Sequence, residues 1–175
     1  MITLQKSIET YIRAKDGNRP HLIAQAFAAD AELTMKINTR DIAFPPAVKG
    51  AKAISDVLVS EFAVRYENVY TFCIGEKPGA ETMFACDWLV CMSEKETGSA
   101  RAGFGRYEWT ADADETGRVR ALRITIEEMM SLPQETAEPI LQWAQDLPYP
   151  WCPRDRLAKG APEIDAIARI RAALA

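Results

Sequence analysis

The sequence predicts an α+β fold: three N-terminal helices packed on a strongly curved antiparallel sheet, followed by a C-terminal helical extension. Three observations carry this reading. Apolar residues recur at helical spacing over most of the first 65 residues, alternate with period two after Tyr66, and return to helical spacing beyond residue 131. With 175 residues, 48% of them hydrophobic, the chain can bury a real core. Residues 1–130 are expected to form the α+β domain, and residues 131–175 an extension docked on that domain or on a partner subunit.

Thr3 is a candidate cap for a first helix running to Lys15, whose stripe is Leu4, Ile8, Tyr11, Ile12 and Lys15; Asp16-Gly17-Asn18-Arg19-Pro20 ends it. Pro20 opens a second helix carrying Leu22, Ile23, Ala26 and Phe27 as far as Ala29-Asp30. Ala31 to Ile37 alternates as a strand, Asn38 to Lys49 reads as a loop, and Gly50 starts a third helix from Ala51 to Val64 that presents Ile54, Val57, Leu58, Glu61 and Phe62. Four strands follow, near Glu67 to Gly75, Glu81 to Ser93, Ala100 to Thr110 and Arg118 to Glu128. Glycine-containing turns separate them, the last being Asp114-Glu115-Thr116-Gly117, so they predict an antiparallel meander. The extension shows a helix near Gln134 to Gln145, an aromatic and proline stretch from Leu147 to Pro153, and a closing helix from Pro162 to Leu174.

Composition excludes several classes of function. A net charge of -4 provides no electrostatic grip on nucleic acid phosphates. No run approaches the roughly 18 apolar residues of a membrane span, and the start lacks the layout of a secretion signal, so the chain reads as cytoplasmic. Cys73, Cys86, Cys91 and Cys152 form no Cys-x-x-Cys pair, and His21, the sole histidine, opens the second helix in a solvent-facing or capping position. Neither a metal nor a cofactor is expected, and the cysteines read as reduced core residues.

Certain runs carry a family resemblance. Tyr11-Ile12-Arg13-Ala14, the stretch from Leu22 to Leu33, Gly50-Ala51-Lys52-Ala53-Ile54, Gly105-Arg106-Tyr107-Glu108-Trp109 and Gly117 to Leu122 together resemble the nuclear transport factor 2-like superfamily over about residues 4–130. The most diagnostic pieces are Phe27, Asp30 and Ala31 together with the helix started by Gly50. The resemblance implies a cone whose interior binds a small, mostly apolar molecule and whose sheet often mediates dimerisation. It covers catalysts such as ketosteroid isomerase, scytalone dehydratase and SnoaL-like cyclases, as well as non-catalytic binding modules.

Ketosteroid isomerase chemistry needs a carboxylate base, a tyrosine and a second, protonated carboxyl. Tyr11 falls at the tyrosine position, but Met35 stands at the base position and Gly105 at that of the second carboxyl, so that chemistry is disfavoured; one missing oxyanion donor alone costs about 2.7–4 kcal/mol. The remaining catalytic candidates are Tyr11 and Asp87.

Strand parity then sorts the side chains. With Trp88 toward the helices, Phe84, Cys86 and Val90 follow it; Tyr107 and Trp109 share a face with Arg101, Gly103 and Gly105, and Leu122, Ile124, Ile126 and Glu128 form the inward set of the last strand. The expected ligand-lining set is Tyr11, Phe27, Met35, Ile54, Leu58, Trp88, Tyr107, Trp109, Leu122 and Ile124. The opposite face, with Asp87, Phe104, Arg106, Glu108, Arg123, Thr125 and Glu127, carries both charges and is the expected homodimer surface. A bulge would invert parity and place Asp87 inside, beside Arg106 and Glu108. The extension is too apolar for a free linker and should dock as a lid, a dimer arm or a cover on its own chain. The expected function is binding of a small hydrophobic or aromatic molecule, with or without SnoaL-like cyclase, isomerase or dehydratase chemistry. The alternative is a dimeric protein-interaction or structural module with a filled cone.

Overall fold

The first helix, α1 (Leu4–Asp16), opens as its sequence predicts: the Thr3 side-chain oxygen accepts the Lys6 backbone N–H at 3.1 Å, and Gly17 closes the helix through bonds to the Arg13 and Lys15 carbonyls. The structure, a computed structural model, describes residues 2–114 and 116–175, so Glu115 of the predicted turn lies outside the described residues. Pro20–Leu22 make a 3₁₀ turn and α2 is only Ile23–Ala26. The predicted second helix overran, because Phe27 already begins β1 (Phe27–Ile37), where it pairs with Val119. The predicted loop contains a short strand, β2 (Ala47–Lys49), antiparallel to β1.

The third helical segment is continuous from α3 (Ala51–Ser55) through a π turn at Asp56–Glu61 to α4 (Phe62–Arg65). The extra residue per turn rotates the buried stripe, so Val59 and Ala63 join Ile54, Leu58 and Phe62 in the interior while Glu61 is exposed.

Strands β3 (Tyr66–Ile74), β4 (Met83–Glu94), β5 (Ala100–Ala111) and β6 (Val119–Leu132) form the predicted antiparallel meander. The whole seven-stranded sheet, in the order β2-β1-β6-β5-β4-β3-β7, is mixed rather than wholly antiparallel: β1 runs parallel to β6, and β7 (Trp151–Cys152) parallel to β3. A parallel pair needs a long crossover, and the third helix with β3, β4 and β5 supplies it between β1 and β6.

Register shifts interrupt β1 between Phe27 and Glu32, β3 between Glu67 and Tyr70, and the β5–β6 pair at Phe104/Gly105. Such bulges bend strands and curve a sheet. The third one also corrects the predicted parity: Phe104 faces Glu128 and Gly105 faces Ile126, so Glu127 is the extra residue, Glu128 turns outward and Met129 points into the core. Gly105 permits this close approach, since a Cβ there would lie 1.8 Å from the Thr125 carbonyl oxygen and 2.8 Å from the Trp88 ring. Gly105→Ala is therefore expected to cost about 1–3 kcal/mol or more, read as a lower urea midpoint with unchanged slope.

The sheet separates two apolar layers. Its concave side meets α1 and the third helix around Ile8, Ile54, Trp88 and Trp109. Its convex side, at Phe72, Leu89 and Ala102, is covered by α5 (Ala137–Asp146) and α6 (Asp165–Ala173) through Ile140, Trp143, Ile167 and Ile170. The extension thus docks on its own chain, against the sheet's back and not across the cone mouth. It also adds β7 to the sheet edge, where Cys73 N–H donates to the Pro150 carbonyl at 2.7 Å and Gly75 N–H to that of Cys152 at 2.9 Å. Among the described residues no helix is long and apolar enough to cross a membrane.

Candidate functional site

Inside the cone, aromatic side chains from four elements meet. Tyr11 of α1 stands edge-on to Phe27, Tyr107 and Trp109, with ring centroids 5.8, 6.1 and 5.5 Å away, and Trp88 stacks on Tyr107 at 5.8 Å. Trp88 is fixed by its indole N–H, which donates to the Thr125 carbonyl at 3.2 Å across Gly105. In front of this cluster lies a cavity of about 40 Å³, enough for roughly three waters. Six of the ten expected lining residues face it: Tyr11, Met35, Leu58, Trp88, Tyr107 and Ile124. Phe27, Ile54, Trp109 and Leu122 do not; each is at most 1% exposed and packs in the core behind the wall.

Val90 and Ile126, inward by strand parity, also line it, and the rest of the wall comes from other places. Met92 and Met129 extend the sheet side, so that with Met35 three methionines border the space. The loop of residues 38–46 contributes Ile42 and Phe44. Arg101 anchors that loop: its guanidinium donates to the Asp41 carbonyl, pairs with Glu94 at 3.0 Å and lies over the Tyr66 ring.

Lys15 and Thr71 are the polar surprise. The Lys15 side chain lines the cavity, donates to Thr71 Oγ1 at 2.7 Å and lies 3.4 Å from Asp16 Oδ1 and 4.7 Å from the centre of the Phe62 ring. Asp16 accepts from Thr71 Oγ1, the Thr71 backbone N–H and the Tyr149 hydroxyl, each at 2.7 Å. Burial pulls the Lys15 ammonium below the usual lysine range and pushes the Asp16 carboxyl above the usual carboxylate range, with each partner's charge opposing the shift of the other. The Tyr11 hydroxyl is wholly buried, sits near that of Tyr107 and makes no hydrogen bond of good geometry; burial raises its pKa well beyond the ordinary phenol value. Lys15 was legible in one respect, since it continues the stripe Leu4, Ile8, Tyr11, Ile12 and so had to point inward.

Asp87 is not part of this site. It lies on the convex face, 3.1 Å from Arg106 and 2.9 Å from Arg154 of the extension, which removes it as a catalytic candidate and excludes the inverted parity. Because these charges are solvent-accessible, Asp87→Asn is expected to lower stability by under about 1 kcal/mol and to leave binding in the cone unchanged, as denaturation and thermal-shift curves will show. On the expected dimer face, Phe104 packs against the extension's core and Thr125 is buried; Glu128, expected to point inward, pairs with Arg169 of the extension at 2.7 Å. Arg106, Glu108, Arg123 and Glu127 remain exposed. His21 is exposed, as expected. Among the described residues no three His, Cys, Asp or Glu side chains come together as a metal site.

No family model matches the sequence, and no curated protein matches it. Solved structures do. RV0760c from Mycobacterium tuberculosis superposes with a TM-score of 0.58 at 12% identity, over 75% of this chain and 98% of that one. A hypothetical protein with a ketosteroid isomerase-like protein fold from Catenulispora acidiphila, in complex with trimethylamine, gives 0.54 at 14% identity over 68% and 83%. A computationally designed 17-OHP binder gives 0.54 at 13% identity over 71% and 95%. The chain has the nuclear transport factor 2-like fold. In this cone Met35 borders the cavity and Gly105 lies beneath Trp88, and among the described residues no carboxylate lines the space.

Proposed function

We propose that this protein binds a small hydrophobic or aromatic molecule inside its cone. The observation that carries the reading is the cavity itself: a space walled by aromatic, aliphatic and methionine side chains, with polar groups confined to Lys15, Thr71, Tyr11 and Tyr107. That composition, mostly apolar with a few convergent polar atoms, is how small-molecule sites are built. The free volume sets the mode of entry. About 40 Å³ does not hold an aromatic ring, so Met35, Met92 and Met129 must change rotamer to admit one, as unbranched thioether side chains do readily. The designed 17-OHP binder and the trimethylamine complex, both on this fold, lend support in kind.

A thermal-shift series with benzyl alcohol, p-cresol and larger steroids tests the reading. A true ligand at about one hundred times its Kd stabilises by roughly 2.7 kcal/mol, a rise of about 5–10 °C in Tm for a chain of this size. Val90→Trp, which fills the cavity from the sheet side, should abolish the rise. No rise with any compound would favour the opposing reading, an interaction module with a filled cone, for which the small volume speaks. We also infer that any homodimer through the sheet is limited to the strip of Arg106, Glu108, Arg123 and Glu127 that the extension leaves open; sedimentation of the whole chain measures it.

A further inference from the structure

We propose that Lys15 is a nucleophilic amine that condenses with a small aldehyde or ketone held in the cone. The inference rests on the binding reading above and names the ligand class that site would take.

Lys15 differs from every other lysine of the chain. The other seven, Lys6, Lys36, Lys49, Lys52, Lys77, Lys95 and Lys159, are all exposed, whereas Lys15 is buried and borders the cavity. Its nitrogen donates to Thr71 Oγ1 at 2.7 Å and to Asp16 Oδ1 at the longer distance of 3.4 Å, and lies over the face of Phe62. The ammonium group has three donors, and the remaining direction borders apolar space.

The surroundings also say where the proton goes. Thr71 Oγ1 accepts from Lys15 and donates to Asp16 Oδ1, so one hydroxyl connects amine and carboxyl. Burial disfavours both charges, lowering the proton affinity of Lys15 and raising that of Asp16. Transfer from Lys15 to Asp16 leaves a neutral amine beside the cavity, the state a desolvated lysine needs to act as a nucleophile. Tyr149 donates to the other oxygen of Asp16 at 2.7 Å and is 49% exposed, which connects the pair to solvent.

One helical turn earlier, Tyr11 shares the inward face of α1 with Lys15. Its buried hydroxyl, without a well-formed hydrogen bond, borders the same cavity and is placed to donate to a carbonyl oxygen. The step balances without an oxidant or reductant. The Lys15 nitrogen lone pair forms a bond to the carbonyl carbon while the carbonyl π electrons move to oxygen, which takes a proton. The resulting carbinolamine loses that oxygen as water, nitrogen loses its remaining proton, and a C=N bond forms. Amine plus carbonyl compound yields imine plus water.

Benzaldehyde with cyanoborohydride near neutral pH tests this on the whole chain, with benzyl alcohol as an unreactive probe of the cavity in parallel thermal-shift runs. The expected result is one benzyl group per chain, mapped by peptide mass spectrometry to Lys15, and its loss in Lys15→Gln, which keeps a donor for Thr71. If Lys15→Gln does not fold, as circular dichroism will show, the map on the unaltered chain decides. Label on exposed lysines with Lys15 unmodified, while benzyl alcohol still raises Tm, overturns the amine assignment and leaves the binding reading intact. Neither label at Lys15 nor a rise in Tm overturns both.

Discussion

Replacing Asp16 with alanine is expected to cost about 3–5 kcal/mol, the range for breaking a buried ion pair by removing one partner. Three donors lose their acceptor at once, the Thr71 hydroxyl, the Thr71 backbone N–H and the Tyr149 hydroxyl, and Lys15 loses its counter-charge inside an apolar wall. Against a total stability of about 5–15 kcal/mol that is a large share, read directly from the urea midpoint. The double change Lys15→Met with Asp16→Leu should recover only the part due to the unpaired ammonium, since the Thr71 and Tyr149 donors still lack their acceptor.

The pair also sets a pH signature. Asp16 holds its proton more tightly folded than unfolded, so its contribution is fullest at low pH and declines as pH rises through its raised pKa. Lys15 holds its proton less tightly folded, so its contribution is present above the ordinary lysine value and declines as pH falls through its lowered pKa. Both slopes should vanish in the double variant when stability is measured across pH.

Truncation after Leu132 is expected to have an effect at least as large. Phe72, Ile74 and Leu89, each at most 2% exposed under α5 and α6, would face water. At roughly 1.5–3 kcal/mol for each large side chain these three alone approach the stability of a small domain, and β7 and the Tyr149 bond to Asp16 go with the extension. The shortened chain should aggregate or bind a hydrophobic dye on gel filtration. A truncated protein as stable and monodisperse as the whole would show that the convex core contributes little.

Much of the architecture follows from local pattern. The stripe of α1, the Thr3 cap and the alternation of β4 and β5 are nearest-neighbour properties, so they can be read from the residues themselves. What escaped them has non-local causes. Phe27 carries helical spacing but pairs with Val119, which is far away in sequence. Glu128 follows the alternation of β6, yet the extra residue Glu127 turns it outward, and a bulge leaves no mark on hydrophobic period. β2 and β7 are too short to show alternation.

The candidate site divides along the same line. Tyr11, Met35, Trp88 and Tyr107 followed from face and parity, while Phe27 and Trp109 proved to be core because distance from the cavity depends on how deep each strand runs. Thr71 was illegible because β3 contains a bulge, and Asp16 because it reads as a helix stop; their meaning appears only once β3 and Tyr149 lie beside the end of α1.

The most direct test of the account is a crystal of the whole protein soaked with p-cresol. It should show the ring between Met35, Trp88 and Met129, with methionine rotamers displaced and no change at Asp87. Saturating p-cresol that leaves those side chains unmoved, with no density between them, would contradict it.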